Sequence, residues 1–116
     1  MEKGFQQLKV WEKSHSLVLD IYKNTKSFPS EEQYCLTNQI RRSAISVAAN
    51  IAEGCSKTTK EFLRFLDISH ASLQETKYHL ILSKDLGYIS SNQFSSMMDM
   101  ANEIGKMLYG LKKSLH

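Results

Sequence analysis

An all-α fold, an antiparallel up-down four-helix bundle, is what this sequence predicts, and three features predict it. Apolar residues recur at alternating intervals of three and four along four long segments, the spacing that keeps one face of a helix turned toward a shared core. Three Ser or Thr residues are each followed three positions later by Glu or Gln, the capping-box signature of a helix start. Five glycines and one proline in 116 residues are too few for the many turns of a sandwich or barrel. A chain of this length holds one domain with a real core. Residues 1–116 therefore read as a single unit, with helices near 8–27, 31–53, 58–86 and 91–114.

The first helix presents Val10, Ser14, Leu17 and Ile21 at seam spacing, with Phe28 just before Pro29. The second is expected to start at the box Ser30-x-x-Gln33, to turn Ile40, Ala44, Val47 and Ile51 inward, and to end at Gly54 as a left-handed cap. The third opens on Thr58-x-x-Glu61, buries Phe62, Leu66, Ser69, Leu73, Thr76 and Leu80, and closes at Gly87. The fourth opens on Ser90-x-x-Gln93, with Ile89 and Phe94 at hydrophobic-staple spacing, and carries Phe94, Met97, Ala101, Ile104, Leu108, Leu111 and Leu115. Met97, Met100 and Met107 read as gap-filling core. Short connections favour antiparallel neighbours.

Helices two and three carry more apolar surface than one seam requires. Helix three has a second stripe at Phe65, Ile68, Ser72, Glu75, His79, Leu82 and Leu86, and helix two a counterpart at Arg41, Ile45, Ala48 and Ala52. An apolar arc wider than the ~100° of a surface helix must be covered elsewhere. A chain this small has little depth to cover it, so these faces are expected to meet other subunits rather than lie deep in the bundle. Arg41 stands at roughly 100° from Ile40, between Ala48 and Ala52. Either it pairs with Glu75, within or across subunits, to set register, or its aliphatic stem carries the charge out to water. Arg42 falls on the polar side with Ser46, and Glu53 near the helix end calls for a cation such as Lys57 or Arg64, or for amide donors.

Charge and motifs narrow the function classes. No stretch approaches the roughly 20 apolar residues of a membrane span, and the start MEKGFQQLKVWEK lacks a signal-peptide apolar run, so a cytoplasmic protein is expected. Cys35 and Cys55 lack metal or redox spacing and read as reduced small residues. A di-iron centre needs two Glu-x-x-His elements; Glu12-x-x-His15 is the one such element present. Glycine-rich phosphate loops and the GxSxG elbow are missing as well. The reading is a non-enzymatic protein without cofactor or metal. Lys57, Lys60 and Arg64 cluster around the start of helix three, and Lys112 and Lys113 close the chain, with Arg42, Lys77 and Lys84 more scattered. The net charge is +3, slight for one chain, but repeated in an oligomer it is enough to attract an RNA or DNA backbone without reading bases. Arg42, Lys57, Lys60, Arg64, Lys112 and Lys113 are thus the candidate nucleic-acid contacts, and Arg41, Ile45, Ala48, Ala52, Phe65, Ile68 and Glu75 the candidate subunit contacts. A structural or protein-interaction scaffold is the competing class.

The segments LKVWEKSHSLVLDIYKNTKSFP, QIRRSAISVAANIAEG, EFLRFLDISHASLQET and DLGYIS resemble, in order and spacing, the four-helix bundle proteins encoded within intervening sequences of bacterial 23S ribosomal RNA genes. The resemblance runs from about Leu8 to about Leu111, and its most specific part is the QIRR…NIAEG block. It implies an up-down bundle assembling as a basic, barrel-like homopentamer. A related group serves as accessory to the reverse transcriptase of diversity-generating retroelements, which implies nucleic acid and that enzyme as partners. For the intervening-sequence members themselves, it implies no established biochemical activity.

Overall fold

The computed structural model describes residues 4–116. Those residues form four α-helices and no strand: α1 (Lys9–Thr25), α2 (Leu36–Cys55), α3 (Thr59–Asp85) and α4 (Ser91–Leu115), with single 3-10 turns at Phe5–Gln7 and Ser30–Glu32. Each helix packs on two others in the cycle α1, α2, α3, α4 and back to α1, and the α2–α3 pairing is the most extensive. The result is a rod 42 Å long and 24 by 22 Å across, its length set by the 27-residue α3 at about 1.5 Å per residue.

The predicted seam residues form the core. Leu17, Ile21, Ile40, Ile51, Leu66, Leu73, Leu80, Ile104 and Leu108 are essentially excluded from solvent. Met97 is buried, and Met100 and Met107 pack half-buried against the same cluster. Phe94, Leu111 and Leu115 lie at its edge, half-buried.

Two of the three expected capping boxes are formed. The Thr58 hydroxyl accepts from the Glu61 N–H while the Glu61 carboxylate accepts from the Thr58 N–H, and Ser90 and Gln93 do the same. The third is not. Ser30 opens only a 3-10 turn without a side-chain cap, and α2 begins at Leu36 rather than near residue 31. There the Glu32 carboxylate accepts from the Leu36 N–H at 3.3 Å, supplying the anion that the positive end of a helix favours. Its other oxygen accepts the Tyr88 hydroxyl proton at 2.8 Å and holds that phenol above its ordinary pKa.

The two glycines expected as caps play different parts. Gly87, at φ +80°, is the left-handed residue after α3. Its N–H bonds to the Lys84 carbonyl and that of Tyr88 to the Ser83 carbonyl, the paired bonds of a Schellman end. Gly54 instead lies inside the last turn of α2. A Cβ there would stand 2.6 Å from the Phe65 Cβ, so the glycine marks a close approach of α2 to α3.

Candidate nucleic-acid interface

The α2–α3 seam is polar at its heart. Small hydroxyls let the two helices approach, and hydrogen bonds satisfy the groups this buries. Ser69 donates to the Val47 carbonyl at 2.8 Å, Ser46 and Ser72 share a bond of 2.8 Å, and Thr76 donates to the Ser43 hydroxyl at 2.9 Å. Ser43 also meets His79 Nδ1 at 3.2 Å. Burial lowers the His79 pKa, opposed more weakly by the Glu75 carboxylate 3.8 Å from Nε2. As α2 advances from Ser43 to Gly54, its contacts on α3 retreat from His79 to Phe62.

Part of the expected subunit surface is occupied within the chain. Phe65, Ser72 and His79, members of the second stripe of α3, lie against α2 of the same chain. Ala48 is buried, and Ala52 is half-buried. What remains outward is Ile45 on α2, Ile68, Tyr78 and Ile81 on α3, and Leu86 just past its end, each more than 40% exposed. Glu75 is exposed among them.

Arg41 does not meet Glu75 within the chain. It stands on the α1 side of α2, where Nε donates to the Thr25 hydroxyl at 2.9 Å and the guanidinium lies 4.4 Å from the Tyr22 ring centroid. The register pairing expected inside a subunit is therefore replaced by a clasp on α1. Angular position alone gave the apolar arc but not which helix lay beside it.

Lys57, Lys60 and Arg64 are exposed around the α2–α3 turn, and none forms an ion pair among the described residues. The end of α4 reaches the same region, because Lys112 bonds Asp67 of α3 at 2.7 Å. Lys112 is thus partly neutralised, whereas Lys113 is exposed and unpaired among the described residues. Arg42 is exposed too but does not join them, since twelve residues of helix, about 18 Å, separate it from Gly54. Glu53 is exposed and forms no ion pair among the described residues. The sequence reading left Lys77 as scattered charge and did not place it in a shared groove. His70 and Lys77 of α3 line a groove with Lys106 and Tyr109 of α4, and their seven-residue interval on α3 was the available signal.

Among the described residues no three His, Cys, Asp or Glu side chains stand close enough to share a metal ion. Cys35 is exposed and Cys55 half-buried, and both are free thiols. No described helix is long and apolar enough to cross a membrane.

Comparison with known proteins places this geometry. The family model described as 23S rRNA-intervening sequence protein matches residues 6–110. Among solved structures, a protein of unknown function from the S23 ribosomal protein family of Bacteroides thetaiotaomicron is 30% identical, with a TM-score of 0.82 over 90% of this chain and 95% of that one. No curated protein matches.

Proposed function

Because the chain belongs to the 23S rRNA-intervening sequence protein family, we propose that it is a non-enzymatic, cytoplasmic, homo-oligomeric bundle that engages RNA or a ribonucleoprotein through charge. One observation carries this reading. Lys57, Lys60, Arg64 and Lys113 are gathered at one end of the rod, exposed and outside any ion pair among the described residues. Free surface cations attract a phosphate backbone without selecting bases. An up-down arrangement with antiparallel neighbours brings the α2–α3 turn and the α4 end together, and the opposed order of the α2–α3 contacts supports it. A ring of copies, five in the homopentamer the resemblance implies, would multiply the net charge of +3 per chain.

The test is a titration of a fluorescent oligonucleotide at low salt. Weak binding is expected, similar for unrelated sequences and falling steeply as salt rises. No association with RNA or DNA would reject it. A second reading, a scaffold for a protein partner such as a reverse transcriptase, is favoured by the exposed Ile68, Ile81 and Leu86. Oligomer that purifies free of nucleic acid at low salt would favour the scaffold.

A further inference from the structure

We infer that the pocket between the end of α1 and the start of α2 is a phosphate-binding site built around Arg41. The pocket, about 400 Å³, is lined by Thr25, Lys26, Ser30, Gln33, Thr37 and Arg41 together with Phe28 and Pro29. Two cationic side chains and several that carry hydroxyl or amide groups line it, and no carboxylate is among the lining residues. Glu32, close by in the chain, is already engaged by the Leu36 N–H and the Tyr88 hydroxyl.

Two details point to a ligand rather than to a merely solvated surface. Arg41 is held in place before anything binds, by Thr25 at Nε and by the Tyr22 ring beneath. Its one hydrogen bond to a described residue uses Nε, leaving both terminal nitrogens, the pair that grips an oxyanion through two parallel bonds, without a protein acceptor. Thr37 is 8% exposed, and its buried hydroxyl has no hydrogen-bond partner among the described residues. An orphaned buried hydroxyl is costly unless something satisfies it. A helical Thr has two favourable χ1 rotamers, so this hydroxyl can turn toward an oxygen seated on Arg41.

A tetrahedral phosphate meets these demands, offering oxygens to the Arg41 fork, the Lys26 ammonium and the hydroxyls together. The bound group is a phosphate, free or carried by a nucleotide. This site does not depend on the basic end of the rod and stands whether or not that end holds RNA.

The same cations also lie at the C-terminal end of α1, where positive charge offsets the helix dipole. A purely structural role therefore predicts a stability loss on substitution but no response to phosphate. The experiment is thermal unfolding of the full chain against inorganic phosphate, with sodium chloride at matched ionic strength as control. A saturable rise in Tm specific to phosphate is expected. Lys26→Gln and Thr37→Val should each weaken the apparent affinity about fivefold or more. Thr37→Val should fold as well as the parent or better, since it removes a hydroxyl that has no partner. Uridine 5′-monophosphate and a uridine oligomer lacking terminal phosphate distinguish the source. A shift with free phosphate and the mononucleotide assigns a monoester site; a shift with the oligomer alone that is weakened in both variants assigns a phosphodiester site, and one unchanged in both belongs to the basic end and overturns the assignment. No phosphate-specific shift with any of the three, or equal shifts in parent and both variants, would overturn the assignment.

Discussion

Arg41 shows how far a single residue can be read. Its place inside an apolar arc was visible from helical spacing alone, and so was the need for a partner. The partner was not visible, because a helical wheel gives an angle and leaves open which helix stands at that angle. Tyr22 and Thr25 of α1 do, and the cation rests on a ring and a hydroxyl rather than on a carboxylate. Arg41→Ala should therefore lower stability by about 1–2 kcal/mol, the sum expected of a partly buried cation–π contact and one hydrogen bond. Urea unfolding measures this, and a loss under a few tenths would show that the side chain is only solvated. His79 carries the residue-scale pH dependence. Burial on Ser43 lowers its pKa below the ordinary 6.5, with Glu75 opposing. A folded state that resists protonation binds fewer protons than the unfolded one, so stability rises with pH. The contribution is complete above about pH 6.5 and is lost as pH falls through the lowered value. Unfolding midpoints between pH 7 and pH 5 should decline in the parent and decline less in His79→Gln.

At the scale of the helices, starts and stops were legible where side chains close locally and illegible where they reach across. Thr58 and Ser90 cap their own helices through residues three positions on, so sequence spacing sufficed. The start of α2 depends on Glu32, which also ties down Tyr88 from beyond α3, and Ser30 is left to a single 3-10 turn. Gly54 and Gly87 looked alike in sequence yet answer to different forces. At Gly87 the positive φ is the constraint, with nothing near a would-be Cβ; at Gly54 the constraint is Phe65 across the seam. Alanine inside a helix is ordinarily favoured over glycine by about 1 kcal/mol. Gly54→Ala should nonetheless destabilise, by about 1–3 kcal/mol, because α2 and α3 must separate to admit a methyl. Gly87→Ala should cost about 1–2 kcal/mol through backbone strain. Thermal melts of the two variants check both, and a stabilised Gly54→Ala would mean that the seam is looser than it stands here.

For the molecule as a whole, the seam pattern gave the four helices and nearly all the core, because a 3-4 repeat reports one buried face directly. It could not divide the extra apolar surface of α3 between a neighbour in the same chain and a neighbouring copy. Phe65, Ser72 and His79 went to the first, through a polar seam of small hydroxyls that no hydrophobic pattern announces. Ile68, Tyr78, Ile81 and Leu86, with Ile45 of α2, stay outward, and the proposed assembly rests on them. A charge introduced there, as in Ile68→Glu, should weaken assembly while leaving the helical content of each chain intact, since the side chain is 49% exposed. Sedimentation velocity beside far-ultraviolet circular dichroism separates the two effects. The proposed RNA binding belongs to this scale too, because a net charge of +3 per chain acts strongly only when copies bring their basic ends together.

Light scattering coupled to size exclusion, on the full chain at micromolar concentration, tests the central claim most directly. The account predicts one stable particle several times the 13.3 kDa chain mass, with five copies as the expected number. A monodisperse 13.3 kDa particle that stays soluble with Ile45, Ile68 and Ile81 in water would contradict it.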